Sequence, residues 1–416
     1  MKNGRQYIAE RINNMFNLEK FISHNVIKRN ESLFQKDVDA NGEKLKQAIS
    51  NKRLLVIGGA GSIGSAFIKE CLLFKPKSLV VVDINENGLT ELTRDLRNTS
   101  GLTIPDDYAF YPISYASDVF RKMYQNRGGF DIVANFSAHK HVRSEKDIYS
   151  IEAMLKNNLL DARNLLDFLV KLPPRIFFCV STDKAANPVN IMGASKRVME
   201  DMIFSYSNYF SIKTARFANV AFSNGSLPAG FLNRLDKLQP ISAPSDVKRY
   251  FVSPKESGQI CMLACMLGEN CEIYFPKLKA EEMLTFSNIA SALLTEKGYS
   301  VDYCDSDMEA LRKSERLKLG SMDYPVHYSS SDTTGEKQYE EFYTSDEIAD
   351  MSQFSALGVI KNITIPSEQK IDLLFSKLHA VLKKQCYDKA EIIEVFKWYL
   401  PNFAHEEKNK SLDGKM

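Results

Sequence analysis

VIGGAGSIGSAF, residues 56–67, decides the fold. An apolar run, RLLVI (53–57), leads into glycines at 58, 61 and 64, and a helix-like stretch, SAFIKECLLF (65–74), follows them. Glycine serves three needs at such a junction: a tight turn, close approach of the backbone to a pyrophosphate, and packing of helix on strand. The first amides of the helix then face the anion. The next apolar run, SLVVVDI (78–84), carries Asp83 nineteen residues after Gly64. A carboxylate there accepts hydrogen bonds from both ribose hydroxyls and repels a 2′-phosphate, which favours NAD. Arg94 and Arg97 lie close enough in sequence to leave NADP as the alternative. The candidate dinucleotide contacts are therefore Gly58, Gly61, Ser62, Ile63, Gly64 and Asp83.

Working outward, the strand, helix, strand order repeats. DIVANFS (131–137) and RIFFCVS (175–181) read as buried strands, with a helical stretch from about 150 to 170 between them. Strands alternating with helices imply an α/β fold with a Rossmann-like, doubly wound parallel sheet. Beyond residue 220 the pattern loosens into turn-rich segments such as SNGSLPAGF (223–231) and QPISAPSD (239–246). The expected division is a helical extension over 1–50, a dinucleotide-binding domain over 51–220, a smaller substrate lobe over 221–345 with segments returning to the core, and a helical tail over 346–416. In the extension, Tyr7, Ile8, Ile12, Met15 and Phe16 recur at helical spacing, which predicts short amphipathic helices packed on the main body.

Composition narrows the partners. Lys+Arg 54 against Asp+Glu 52 gives a formal net charge of +2, too balanced for nucleic acid or an anionic membrane to be the main partner. The seven cysteines are scattered, with no CxxC pair and no metal-ligand spacing, so they read as reduced core residues and no metal is expected. The opening residues lack the apolar region of a signal peptide, and no window approaches the roughly 20 apolar residues of a membrane span. A cytoplasmic protein without an integral membrane segment is expected.

The second informative stretch is STDKAANPVNIMGASKR, residues 181–197. Ser181, Thr182, Asp183 and Lys184 leave the end of a buried strand, where ligands gather in doubly wound sheets. An adjacent carboxylate and ammonium in a cleft can divide acid and base work. Lys196 falls on the following helix, where its charge can hold a nicotinamide ribose. Four places before it stands Met192, where many nucleotide-dependent oxidoreductases carry a tyrosine that moves a proton. A thioether only packs, so proton transfer is either lost or passed to Asp183 and Lys184.

With these segments in view, the chain resembles the extended short-chain dehydrogenase/reductases. Within them it is similar to the bacterial UDP-N-acetylglucosamine 4,6-dehydratases of glycan and capsule biosynthesis, in which methionine commonly replaces that tyrosine. The resemblance rests on VIGGAGSIGS (56–65), AHKHVRSEKD (138–147), STDKAANPVNIMGASKR (181–197), TARFANV (214–220), DVKRYFVSPKESGQ (246–259) and TTGEKQYEEFY (333–343). It implies NAD as an internally recycled cofactor and UDP-N-acetylglucosamine or a related UDP-sugar as substrate. By the same resemblance Lys184 is the base and Asp183 the acid, Thr182 bonds near the C4 oxygen, Lys196 supports deprotonation there, and Met192 fills space beside the sugar. It further implies substrate contacts from Lys140, His141, Asn219, Arg249, Glu336 and Lys337, and a homo-oligomer with the 150–170 and 196–210 helices as candidate contacts. Two other readings stand beside this one: a UDP-sugar epimerase or C5-inverting dehydratase, and a catalytically silent protein that binds NAD or a nucleotide sugar.

Overall fold

The structure is a computed structural model that describes residues 16–141, 145–331, 337, 339, 341–405 and 407. Its centre is a nine-stranded sheet. In chain order the strands are β1 (Arg53–Ile57), β2 (Ser78–Val82), β3 (Asp107–Tyr111), β4 (Ile132–Asn135), β5 (Ile176–Val180), β6 (Ser211–Ala215), β7 (Glu272–Pro276), β8 (Ile348–Asp350) and β9 (Leu357–Lys361). They lie in the order β8-β9-β7-β6-β5-β4-β1-β2-β3. Strands β1 to β7 pair in parallel, and β9 and β8 add an antiparallel edge. All five residues of β2 and of β7 are buried, as expected of strands covered on both faces. This is the doubly wound α/β architecture anticipated from the glycine turn and the repeated strand-helix-strand order.

The parallel registers align the strand ends that matter. Ile57 pairs with Asn135, Asn135 with Cys179, and Cys179 with Thr214. The loops after β1, β4, β5 and β6 therefore leave the sheet at one edge, side by side. On the sheet's faces, α1 (Ser62–Leu72) packs against α3 (Pro254–Leu267), while α2 (Ile191–Phe204) packs on the helical stretch Lys156–Asp161 and on β6. Gly258 makes the first contact close: a Cβ there would lie 2.5 Å from the Ala66 carbonyl oxygen.

A smaller lobe has its own core. Its three-stranded parallel sheet joins Ser300–Tyr303, Asp323–Ser329 and Ile241–Pro244, with helices Leu227–Asp236 and Phe286–Glu296 against it. Phe231, Ile241, Ile289, Leu293, Tyr324 and Val326 are buried there.

The segment before β1 packs on both lobes. Phe21, Ile22 and Val26 enter the core of the small lobe, and Phe34, Val38, Leu45 and Ile49 enter the main core. Each such apolar side chain contributes roughly 1.5–3 kcal/mol on burial. Between the two sets, Arg29 is forked onto the buried Glu256, with Nε to Oε1 at 2.6 Å and Nη2 to Oε2 at 2.9 Å. Asp37 accepts the amides of Ser355 and Ala356 at 2.6 and 2.8 Å, tying the segment to the loop before β9. Of the apolar residues singled out in this extension, Tyr7, Ile8, Ile12 and Met15 lie outside the described residues, while Phe16 packs against Phe21.

The segment from 346 onward is not all helical. β8 and β9 precede the two helices Glu368–Leu382 and Lys389–Tyr399. The strand β9 was hidden by Gly358, which breaks an apolar run. Its lack of a side chain is needed because Phe275 crosses it, and a Cβ would sit 2.2 Å from that ring. The two terminal helices cover the helical stretch that starts at Ile148: Arg163 lies 4.5 Å over the Phe375 ring and pairs with Asp372, and the Tyr387 hydroxyl donates to Glu152 at 2.6 Å.

Candidate active site

The glycine turn is built as its spacing requires. Gly58 has φ of +73°, and a Cβ there would meet the Ser137 amide nitrogen at 2.6 Å, so only glycine fits between β1 and the loop after β4. At Gly64 a Cβ would strike the Gly58 carbonyl oxygen at 2.5 Å, which fixes α1 against the turn. Gly61 caps α1 and brings no side-chain hydrogen bond, so a side chain does not block the helix's first amides. This turn fits the pyrophosphate of a dinucleotide. Asp83 follows β2, with Oδ2 accepting the Ala60 amide at 3.0 Å and Oδ1 the Asn85 amide at 2.9 Å. The carboxylate thus grips the turn itself and keeps further lone pairs for a ligand. Ser62 Oγ accepts the Asn224 amide at 2.8 Å, and Ile63 lines the adjoining cavity.

That cavity, about 260 Å³, lies between the lobes at the carboxyl ends of β4, β5 and β6. Its walls include Ile63, Lys140, His141, Ser181, Thr182, Lys184, Met192, Lys196 and Asn219, with Leu227, Pro228 and Phe286 from the small lobe. The sheet topology therefore gathers the turn after β1, the loop after β4 and the STDK segment into one site. Asp183 is buried behind the wall rather than in it. Its Oδ1 accepts the Thr182 hydroxyl at 2.8 Å, the Lys184 amide at 2.9 Å and the Lys184 ammonium at 3.0 Å.

Met192 is 2% exposed and packs into the wall. Lys196, one turn further along α2, donates from Nζ to the Val180 carbonyl at 3.0 Å. Burial pulls its ammonium below the ordinary lysine range, with Cys179 and Glu200 opposing. The loop carrying Lys140 and His141 is held from behind by the buried Asn158, which accepts the His139 amide at 2.9 Å and donates to the His139 carbonyl at 3.0 Å.

The other candidate substrate contacts sit differently. Arg249 is buried outside the cavity wall, donating from Nη1 to the carbonyls of Lys248 and Lys337, both at 2.9 Å. Lys337 in turn donates to the Asn187 carbonyl. This places Lys337 over the loop that follows the STDK turn, beside but not inside the cavity. Glu336 lies outside the described residues.

Residues that the sequence did not single out tie these parts together. Glu145, Glu200, Arg216 and Glu347 are each engaged with chain segments distant in sequence. Two signals were present: Glu200 stands four residues after Lys196 on the same helix, and Arg216 interrupts the apolar run after β6. Among the described residues there is no group of three or more His, Cys, Asp or Glu side chains fit to hold a metal ion, and no helix long and apolar enough to cross a membrane.

A sequence profile of the family described as "Polysaccharide biosynthesis protein" matches residues 54–362. The chain belongs to that family. It is an extended short-chain dehydrogenase/reductase. It is 27% identical over 323 residues to the capsular polysaccharide biosynthesis protein CapD of Staphylococcus aureus, covering 75% of this chain and 51% of CapD, so it spans about half the length of that relative. It is 28% identical over 308 residues to a UDP-glucose 4-epimerase of Rickettsia conorii, covering 72% of this chain and 80% of the epimerase. The crystal structure of Pen from Bacillus thuringiensis superposes with a TM-score of 0.60 at 19% identity, over 79% of this chain and 98% of Pen, which is a likeness of fold.

Proposed function

We propose that this protein is an NAD-dependent 4,6-dehydratase of a UDP-sugar, with UDP-N-acetylglucosamine as the substrate that its sequence resemblance favours. The observation that carries the reading is the Asp183–Lys184 pair, 3.0 Å apart at the end of β5, beside a helix that offers a methionine where a proton-moving phenol is otherwise found. A dehydration needs a base at C5 and an acid for the C6 hydroxyl, and this pair offers one of each. The turn from Gly58 to Gly64, Asp83 and Lys196 would hold NAD, which would supply acceptance and return of a hydride.

The chain's own groups divide the remaining work. Thr182 bonds near the C4 oxygen and Lys196 supports its deprotonation, so that a ketone forms at C4 and acidifies the C5 proton. Lys184 takes that proton. The proton that Lys184 shares with Asp183 Oδ1 at 3.0 Å moves to the carboxyl beforehand, which frees the amine as the base and lets Asp183 protonate the departing C6 hydroxyl. Met192 packs beside the sugar and moves no proton. From the cavity wall, Lys140 and His141 border the sugar and Asn219 meets the UDP moiety, while Arg249 and Lys337 hold each other and the loop at Asn187 beside the cavity.

The 28% identity to UDP-glucose 4-epimerases favours one alternative, inversion at C4 without loss of water. Two variants separate these readings. Lys184→Ala blocks exchange of the C5 proton with solvent, and Asp183→Asn abolishes the 4-keto-6-deoxy product while NAD stays bound. If both variants turn over as the wild type does, the assignment of acid and base is wrong.

A further inference from the structure

Arg216 has a fully buried side chain at the end of β6, and its guanidinium satisfies every donor it has. Nε and Nη2 donate to Glu200 Oε1 and Oε2 at 2.9 and 2.8 Å. Nη1 and Nη2 donate to Glu347 Oε2 and Oε1, both at 2.7 Å, and Nη1 also donates to the Phe342 carbonyl at 2.9 Å. Each end of this fork reaches a different segment of the chain. On one side, Glu200 Oε1 accepts the Ser181 hydroxyl at 2.5 Å, and Ser181 immediately precedes Thr182, Asp183 and Lys184. On the other, Glu347 accepts the Thr344 amide at 2.9 Å and Arg197 Nη1 at 2.8 Å, which anchors the segment that follows Lys337.

Burying a guanidinium between two carboxylates costs desolvation, and an apolar contact of equal volume holds two segments together as well. What the ionic fork adds is geometry: bidentate pairing on both sides fixes distance and angle at once. The Glu347 carboxyl reflects this tight engagement. Burial would raise it, but the hydrogen bonds and charge of Arg216, the Thr344 amide and Arg197 outweigh burial and hold it down to about 2.

We infer that Arg216 is a positioning residue, which holds the 342–347 segment in register with the Ser181–Lys184 turn, so that the turn bearing the proton-transfer pair keeps one geometry. That the turn carries proton transfer rests on the proposed dehydratase reading, whereas the coupling of the two segments does not.

The test compares Arg216→Lys and Glu347→Gln with the wild type as full-length, NAD-loaded protein. Arg216→Lys keeps the charge and loses the fork. In hydrogen exchange it speeds the amides of both 181–184 and 341–347 by about tenfold or more and leaves α1 unchanged, while Glu347→Gln speeds only 341–347. With UDP-N-acetylglucosamine, Arg216→Lys lowers kcat by about tenfold with KM within about threefold of wild type, because it loosens the turn that carries the proton-transfer pair. Wild-type exchange in either segment of Arg216→Lys overturns the inference. If Arg216→Lys does not fold, Glu347→Gln decides alone: wild-type exchange in 341–347 overturns the inference. A wild type that does not turn over the sugar counts against the dehydratase reading, and the exchange results still decide the coupling.

Discussion

The main-chain amide of Met192 donates to the Glu145 carboxylate at 3.1 Å, and the other oxygen of Glu145 lies 3.2 Å from His405 Nε2. One buried side chain thus satisfies an otherwise orphaned donor in the first turn of α2 and ties the cavity loop to the C-terminal segment. Glu145→Ala leaves that amide buried without an acceptor, and we expect a loss of about 1–3 kcal/mol in denaturant unfolding. Glu145→Gln keeps an acceptor and should fall between that variant and the wild type. Equal stability of all three would show that the contact contributes nothing.

Met192 is a wall of the cavity, so its replacement separates packing from chemistry. Met192→Leu conserves volume and should keep both turnover and stability, the latter within about 1.5 kcal/mol. Met192→Ala opens a void and should cost about 2–5 kcal/mol. An inactive but stable Met192→Leu protein would mean that the thioether does more than fill space.

Gly58→Ala combines a positive φ with a Cβ 2.6 Å from a backbone nitrogen, and no flexible side chain can yield there. Titration calorimetry should show NAD binding lost in Gly58→Ala and weakened in Asp83→Ala. An unchanged NAD affinity in Asp83→Ala would remove the ribose role from that residue.

Burial, reinforced by Glu200 and opposed by Arg197, raises the Asp201 carboxyl from 3.8 to about 6. A raised acid favours the folded state below its unfolded pKa, and that contribution is lost as pH rises through the folded value. Asp201→Asn does not titrate. Its stability relative to the wild type should therefore increase by about 2 kcal/mol between about pH 4.5 and pH 8, read from paired urea midpoints. A difference that does not change with pH would contradict the shift.

Much of the fold was legible because short-range rules govern it. The glycine spacing, Asp83 and the apolar runs of β1, β2, β4 and β5 each follow from local chemistry, and the structure brings the turn and the STDK segment to one edge of the sheet. The strands β8 and β9 were not legible, because β9 is defined by pairing with β7 and by a glycine whose purpose is a ring 83 residues earlier in the chain, and β8 by pairing with β9. Likewise, a buried arginine in TARFANV shows no partner in sequence, since Glu347 is 131 residues away. Asp183 and Lys184 were found as a pair. That one faces the cavity and the other stands behind it depends on the bend after Val180, which a linear reading does not resolve.

The most direct measurement is proton NMR of the protein with UDP-N-acetylglucosamine and NAD in deuterated water. We expect a new C6 methyl signal, a ketone or its hydrate at C4, and deuterium at C5. A product inverted at C4 that retains its C6 hydroxyl and its C5 proton would contradict dehydration and establish the epimerase chemistry in its place.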